Sequence, residues 1–247
     1  MTDWLEGRVY RRIDWHPELF TLTIEAAIEP FSAGQFIKLG LAHSDGKVVS
    51  RAYSLVNAPN AGPLQVLAVK VADGQLSPAL HLLQPGDRLL VSARASGHLT
   101  LSEIPDGDAL WLLATGTGIS PFLSMLASAE PWRRFARIVL VYAVRHQRDL
   151  AHLADIEQWQ RACPAQLTLI PVVSREPMVG ALPGRIPELL ANGRLEQVAG
   201  LPLTSRSQIL LCGNPGMIHD ASELLQARGL KRHRRAEPGN LHSERYW

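Results

Sequence analysis

The sequence predicts two successive domains, an all-β domain followed by an α/β domain built on a parallel sheet. Three observations support this prediction. The chain has 247 residues, which is enough for two domains of ordinary size. Short β-rich segments fill the first hundred residues, and strands alternating with helices fill the rest. Both patterns break at LTLSEIPDGD (99–108), so we place the domains at residues 1–102 and 103–247.

Six segments of the first domain are typical of β-strands because they are short, rich in β-branched residues and bounded by turns such as PNAG, DG and PGD. The segments are 7–15, 19–26, 34–42, 48–56, 64–72 and 87–93. The only helical segment of note is SPALHLL (77–83). This arrangement predicts a six-stranded antiparallel β-barrel.

The strands of the second domain are apolar throughout, which indicates a parallel sheet covered by helices on both faces. The predicted strands are 109–114, 137–144, 167–173 and 208–212, and the predicted helices are 121–129, 149–159 and 216–229. Sheets of this kind bind ligands at the carboxyl ends of their strands. The loops after these strands are therefore the first place to look for a site.

Composition excludes several classes of protein. The apolar runs stop at about seven residues, whereas a membrane-spanning helix needs about 20. The N-terminal MTDWLEGRVYRR is charged where a secretory signal needs an apolar core, so we expect a cytoplasmic protein that does not enter a membrane. Two cysteines are too few for a protein-bound iron–sulfur cluster, and the nine histidines show no ligand spacing, so we predict no metal.

The net charge of +2 is distributed unevenly along the chain. Residues 1–100 carry nine basic and nine acidic side chains, so the excess is C-terminal and includes KRHRR (231–235). This segment is consistent with docking of an acidic protein or with a solvated helix end. Without a recognisable nucleic-acid module, we do not expect DNA or RNA binding.

Two loops of the second domain carry the features of a dinucleotide site. In ATGTGISPF (114–122), Gly116 and Gly118 allow a sharp turn after a buried strand, and Pro121 suits the first turn of a helix whose free N–H groups attract phosphate. LLCGNPGM (210–217) repeats this arrangement after the last strand. Cys212 at that strand end is either a small buried residue or a neighbour of the nicotinamide.

Three arginines follow predicted strands and indicate which dinucleotide is bound. Arg145 and Arg175 occupy strand ends, and Arg185 follows in LPGRIP. A 2′-phosphate favours arginine, whereas NAD sites often present an acid to the ribose hydroxyl. Asp149 and Glu176 lie nearby, but neither directly follows a strand. Any one arginine alone is better interpreted as a surface residue at the start of a loop, but together they favour NADP(H).

The segment RAYSLVNAP (51–59) has the features of a flavin site in the barrel. On one strand, Arg51 can neutralise a pyrophosphate, Tyr53 can lie against an isoalloxazine and Ser54 can hydrogen-bond near its reactive end. A second phosphate contact is predicted at DGQLSP (73–78), where Gly74 and Ser77 open a short helix.

These motifs, in this order, resemble those of the ferredoxin–NADP+ reductase family, most closely its compact bacterial ferredoxin/flavodoxin members that end in an aromatic residue. The resemblance covers nearly the whole chain, including the C-terminal SERYW. It implies a monomer with an FAD barrel and an NADP domain. Hydride passes between nicotinamide and flavin, and single electrons pass to a transient acidic ferredoxin or flavodoxin.

The resemblance also implies roles for individual residues. The positions implied for FAD are Arg51, Ala52, Tyr53, Ser54, Ala68, Val69, Lys70, Gly74, Gln75, Leu76, Ser77, Thr117, Tyr246 and Trp247. Those implied for NADP are Gly116, Gly118, Val144, Arg145, Ser174, Arg175, Arg185, Gly213, Asn214, Pro215, Gly216 and Met217. The catalytic positions implied are Tyr53, Ser54, Cys212, Glu244 and Tyr246. Tyr246 is expected to cover the isoalloxazine and Trp247 the adenine, although the two roles could be exchanged.

Two alternatives share some of these features. One is an NADPH-dependent flavin reductase or the reductase component of an oxygenase, which has the same two cofactor sites. The other is a flavin- or nucleotide-binding subunit without turnover of its own. Oxidation of NADPH by the isolated chain with an artificial acceptor would distinguish the second alternative from an enzyme.

Overall fold

The computed structural model describes residues 2–42, 46–234 and 236–245. The chain divides into two compact units. The first comprises Met1–Thr100 with Ser120–Ser128, and the second comprises Leu101–Ile119 with Ala129–Trp247. Among the described residues, no helix combines the length and apolar character needed to cross a membrane.

The first unit is an antiparallel barrel of six strands, as predicted. The strands are β1 (Trp4–His16), β2 (Leu19–Glu25), β3 (Phe36–Ala42), β4 (Val48–Ser54), β5 (Leu64–Val69) and β6 (Arg88–Ser92), in the order β4-β3-β6-β1-β2-β5. A bridge between Leu55 and Val66 joins the two outer strands and closes the barrel. Helix α1 (Ser77–Leu82) lies between β5 and β6 in the chain.

The barrel core forms because alternate strand residues point inward and are large and apolar. Phe20, Leu22, Ile24, Ile37 and Leu39 have no exposed surface. Helix α2 (Ser120–Leu126) is buried at every residue and belongs to this unit. The Ser124 hydroxyl donates a 2.7 Å hydrogen bond to the Asn57 carbonyl, which ties α2 to the chain after β4.

The second unit contains a parallel sheet with helices, as predicted, and this sheet has six strands. Its strands are β7 (Ala109–Thr115), β8 (Arg137–Val144), β9 (Leu167–Val173), β10 (Leu182–Pro183), β11 (Ser207–Gly213) and β12 (Leu241–Arg245), in the order β10-β9-β8-β7-β11-β12. Its helices are α3 (Glu130–Arg134), α4 (Leu153–Ala162), α5 (Ile186–Ala191), α6 (Arg194–Ala199) and α7 (Pro215–Ala227). Because β8 and β11 flank β7, the direction of winding reverses at β7.

Several elements differ from the sequence-based expectation. The helix predicted from residue 149 begins only at Leu153, because residues Gln147–Asp149 form a 3-10 turn and His152 has a left-handed backbone with φ 58°. The short strand β10, helices α5 and α6, and strand β12 were not predicted. Strand β12 includes Ser243–Arg245 of the C-terminal SERYW segment, and it pairs in parallel with β11.

Candidate functional site

In the barrel unit, the Arg51 side chain links two of the segments predicted to bind FAD. Arg51 is exposed on β4, and its guanidinium donates 2.7 Å to the Ser50 carbonyl and 2.6 Å to the Gln75 side-chain oxygen. Ala52, the next residue on β4, is exposed too. The remaining N–H groups of the Arg51 guanidinium can donate hydrogen bonds to a bound anion. The structure therefore brings the RAYS strand and the 73–78 loop together.

The hydroxyl of Ser54, at the end of β4, is buried without a hydrogen-bond partner among the described residues. Only 2% of the residue is exposed. Buried polar atoms are rarely left unsatisfied, so this hydroxyl fits a bound group that offers a polar atom. The neighbouring Tyr53 is half-buried, and burial raises the pKa of its phenol to about 12, so the ring stays neutral.

The loop after β5 is held tightly by its own hydrogen bonds. The Ser77 hydroxyl accepts 3.0 Å from the Val71 N–H, and Gly74 N–H donates 2.9 Å to the Val71 carbonyl. A Cβ on Gly74 would lie 2.7 Å from the Ser77 hydroxyl, so the loop has little room for a side chain there. Leu76 is buried, whereas the polar residues Asp73 and Gln75 of this loop are exposed.

The predicted residues of β5 lead directly into this loop. Ala68 is buried in the barrel, whereas Val69 and Lys70 are exposed. The Lys70 N–H donates 2.7 Å to the Glu18 carbonyl, which fixes the exit of the strand. These three residues lie at the start of the segment that Arg51 contacts through Gln75.

In the second unit, the glycine loops after β7 and β11 lie side by side because these parallel strands are neighbours. Gly116 has φ +55°, a conformation that favours glycine. A Cβ on Gly118 would lie 2.5 Å from the Cys212 carbonyl oxygen. Thr117 between them is half-buried. The two predicted dinucleotide loops thus form one surface at the reversal point of the sheet, where such sheets bind ligands.

A threonine that the sequence analysis did not single out joins these loops. The Thr115 hydroxyl, at the end of β7, accepts 2.8 Å from the Asn214 N–H. Asn214 in turn caps α7, since its side-chain oxygen accepts 3.2 Å from Met217 N–H, and Pro215 occupies the first turn beside Gly216. Since Pro215 has no N–H and the Met217 N–H is bonded to Asn214, the Gly216 N–H is the group at the start of α7 that can donate to a phosphate. In the sequence, the only sign of this link is that Thr115 directly precedes the glycine loop.

Backbone hydrogen bonds hold the ends of β8 and β9 next to each other. Ser174 N–H donates 3.1 Å to the Val144 carbonyl, and Arg175 N–H donates 3.0 Å to the Arg145 carbonyl. Arg145 and Arg175 therefore follow adjacent strand ends, and Arg185 precedes α5. All three arginines are exposed, and we find no side-chain hydrogen bond or ion pair for them within the described ranges.

The acidic residues of the same loops are engaged by the backbone. Asp149 accepts 2.9 Å from the His146 N–H, and Glu176 accepts 2.6 Å from the Gln147 N–H. The latter bond is the main cause of a lowered pKa for Glu176, with His146 contributing. These carboxylates therefore stabilise the loop after β8, whereas the arginines remain available to an anionic ligand.

Cys212 and Glu244 are paired in register on β11 and β12. Cys212 has no exposed surface, and burial together with the Glu244 charge raises the pKa of its thiol well above the usual value. Burial also raises the pKa of Glu244 to about 7. The pair therefore consists of a neutral thiol and a carboxyl that can exchange a proton near neutral pH. A catalytic role for either residue remains a prediction.

Three residues named by the sequence analysis lie outside the described residues. They are Tyr246, Trp247 and Arg235. No group of three or more histidine, cysteine, aspartate or glutamate side chains placed to hold a metal ion occurs within the described ranges.

Comparison with known proteins gives matches over both units. Residues 11–99 match the family model described as the oxidoreductase FAD-binding domain, and residues 112–223 match the oxidoreductase NAD-binding domain. The chain is 44% identical to the flavodoxin/ferredoxin–NADP reductase of Escherichia coli (strain K12) over the full length of both proteins. It is 34% identical to the ferredoxin–NADP reductase of Azotobacter vinelandii, over 94% of this chain and 93% of that protein.

Among solved structures, the chain is similar to a ferredoxin NADP+ reductase from Neisseria gonorrhoeae crystallised with bound FAD and NADP. The TM-score is 0.93 at 33% identity, and the match covers 99% of each chain.

Proposed function

The chain belongs to the family of flavodoxin/ferredoxin–NADP reductases, and from this premise we propose how its own residues carry out the reaction. The protein is an oxidoreductase that uses FAD and NADP(H), and ferredoxin or flavodoxin is its redox partner. The observation that carries this assignment is the full-length match to such reductases in a chain that contains both cofactor domains.

The barrel unit holds FAD. Arg51 binds the pyrophosphate with the N–H groups that Gln75 and the backbone leave free, and the N–H groups of residues 75–77 provide the second phosphate contact. Ser54 hydrogen-bonds the reactive edge of the isoalloxazine, which satisfies its buried hydroxyl. Tyr53 packs against the ring. The bound flavin supplies two-electron exchange with a nicotinamide and one-electron exchange with a carrier, chemistry that side chains do not provide.

The second unit holds NADP(H). The loops containing Gly116, Gly118 and Gly213 approach the dinucleotide closely, and the segment Asn214–Met217 at the start of α7 offers the Gly216 N–H to a phosphate. Arg145, Arg175 and Arg185 bind the 2′-phosphate, and this selects NADPH over NADH. The support for this selection is that the three arginines are exposed while Asp149 and Glu176 are engaged by backbone N–H groups.

The end of β11 and β12 borders the nicotinamide position in this proposal. Glu244, whose pKa is raised to about 7 by burial, holds or releases a proton there, and the Cys212 thiol remains neutral. Tyr246 and Trp247, which lie outside the described residues, would hold the isoalloxazine and the adenine of FAD, in this or the exchanged assignment. These last two roles follow from the resemblance.

The carrier is a small acidic protein that binds transiently, because single-electron exchange requires it to leave after each transfer. We further propose that the reductase is monomeric and acts in the cytoplasm. A basic segment at residues 231–234, exposed apart from the half-buried His233, provides charge for docking such a carrier.

An anaerobic visible spectrum of the purified protein tests the proposal. We expect a yellow protein that stoichiometric NADPH bleaches at least tenfold faster than NADH, and that passes electrons to ferredoxin or flavodoxin. A protein that cannot be reconstituted with FAD would overturn the flavin assignment. Equal bleaching by both nucleotides would overturn the role of the arginines, and bleaching without reduction of either carrier would favour a flavin reductase.

A further inference from the structure

Arg12 is a buried cation in the first strand of the barrel, and neither the sequence motifs nor the proposed function gives it a role. Only 8% of its side chain is exposed. The guanidinium carbon lies 4.6 Å from the centroid of the Phe20 ring, in the geometry of a cation–π contact. A buried charge is costly unless it is paired and hydrogen-bonded, so these partners indicate why arginine is present.

The partners of Arg12 lie on its own strand and at the end of helix α1. Its Nε and Nη2 donate to the Asp14 carboxylate at 3.0 and 2.5 Å. Its Nη1 donates 2.5 Å to the His81 carbonyl and 3.3 Å to the Leu83 carbonyl. These two carbonyls end α1 and have no partner inside the helix, so Arg12 caps α1 from a strand about 70 residues away in sequence.

A second contact holds the same end of α1. The His81 ring packs edge-on against Phe20, with the ring centroids 5.2 Å apart. Phe20 is fully buried and thus contacts Arg12 on one part of its surface and His81 on another. The end of α1 is therefore fixed to β1 and β2 by both polar and aromatic contacts.

The opposite end of α1 forms the proposed FAD phosphate loop. Helix α1 has only six residues, which is about 9 Å at 1.5 Å per residue. Its first residue is Ser77, whose hydroxyl closes the loop onto Val71, and Gln75 of that loop contacts Arg51. A displacement at His81 would be carried to Ser77 and Gln75, because a helix of two turns moves as one piece.

We propose that Arg12 is a positioning residue for the FAD phosphates: by capping α1 it holds loop 73–77 in the geometry that the pyrophosphate requires. Arg12 does not touch the cofactor in this proposal. The inference rests on the proposed function, since it assumes that loop 73–77 binds FAD.

The test compares Arg12→Met with Arg88→Met in the full-length chain. Methionine keeps most of the buried volume but removes the cap. Arg88 is a matched control because it also pairs with an acid of β1, Glu6, at 3.1 Å, yet it is 74% exposed and, among the described residues, makes no side-chain hydrogen bond or ion pair to α1. After removal of FAD, its Kd is measured by fluorescence titration, and ³¹P NMR of the reconstituted protein reports the two phosphates.

We expect Arg12→Met to raise the Kd for FAD about tenfold and to shift the ³¹P signals, because it removes hydrogen bonds from a charged donor. Arg12→Lys, which retains the charge and one donor, should lie between Arg12→Met and the unchanged protein. Arg88→Met should match the unchanged protein.

An Arg12→Met protein that unfolds at a lower temperature but keeps its Kd and ³¹P signals would overturn the proposal, since Arg12 would then only stabilise the barrel. If Arg12→Met does not fold, Arg12→Lys against Arg88→Lys decides by the same two readouts, and equal values refute the positioning role. Failure of the unchanged protein to bind FAD would instead refute the proposed function.

Discussion

Gly213, at the end of β11, is the position where a single methyl group should most clearly disturb the dinucleotide site. Its φ is +127°, a conformation that side-chain-bearing residues rarely adopt. A Cβ there would overlap the Thr115 hydroxyl and would lie 2.6 Å from the Thr115 carbonyl oxygen. Thr115 cannot simply move away, because its hydroxyl accepts the 2.8 Å hydrogen bond from Asn214 N–H.

The free-energy cost of Gly213→Ala has two parts. A side chain in this backbone region costs about 1–3 kcal/mol of strain. Overlap with closely packed atoms costs typically about 1–3 kcal/mol more. We expect a loss of about 4 kcal/mol in the free energy of unfolding, which is large against a total stability of about 5–15 kcal/mol. If the loop shifts to relieve the strain, the start of α7 moves with it, and the KM for NADPH should rise.

Urea unfolding followed by circular dichroism and steady-state NADPH oxidation measure the two effects. Gly229→Ala, just after α7, is the matched control. Its φ is +87° and a Cβ there would meet no atom within 4 Å, so this variant carries the backbone strain without the contact. We expect it to lose only about 1–3 kcal/mol in the free energy of unfolding and to keep the KM for NADPH. A Gly213→Ala protein that equals Gly229→Ala in stability and KM would refute the reasoning from the contact with Thr115.

Three further predictions concern charge. Arg175→Ala should raise the KM for NADPH about tenfold or more and leave the KM for NADH unchanged. Arg161→Ala on α4 is the control and should change neither KM. An equal effect on both nucleotides would contradict a 2′-phosphate contact. Burial, with the charge of His233, lowers the pKa of His242 from 6.5 to about 4, so the folded state binds fewer protons and stability falls below pH 6.5. Between pH 7.5 and pH 5 this effect should lower the free energy of unfolding by about 2 kcal/mol. Urea unfolding measures it as the difference between the unchanged protein and His242→Asn, which isolates His242 from Glu244, whose raised pKa acts in the opposite direction. Parallel curves of stability against pH for the two proteins would refute the prediction. Arg234→Glu should weaken the salt dependence of carrier reduction relative to Arg161→Glu. An unchanged salt dependence would rule out docking at the basic segment, whose last residue, Arg235, lies outside the described residues.

Sequence alone predicted the barrel and most of the parallel sheet because their signals are local. Strands β1 to β6 are β-rich segments between clear turns, and β7, β8 and β11 consist largely of apolar residues. Strand β12 has no such signal, since LHSER contains a single aliphatic residue and depends on the edge of β11 for its hydrogen bonds. Helices α5 and α6 are only six residues long, too short to show a helical period.

The sequence indicates candidate residues where residue type and strand end coincide, as for Arg145 and Arg175, and their binding roles remain predictions. It gives no such indication where function depends on contacts distant in sequence. The link from Thr115 to Asn214 spans 99 residues, and the contacts from Arg12 to His81 and Leu83 span 69 and 71. Arg12 stands in a basic run that resembles a solvated strand edge, and only the folded barrel shows that its side chain is buried.

The loops after β8 and β9 show why counting charges in a sequence is a poor guide to nucleotide preference. This region contains both acids and arginines, so its composition permits either a ribose hydroxyl or a phosphate as ligand. The fold distinguishes them, because Asp149 and Glu176 accept backbone N–H groups at 2.9 and 2.6 Å. A carboxylate that stabilises its own loop would lose those bonds if it turned to a ribose. The exposed arginines have no such bonds to lose, so the same loop geometry favours a ligand with an additional phosphate.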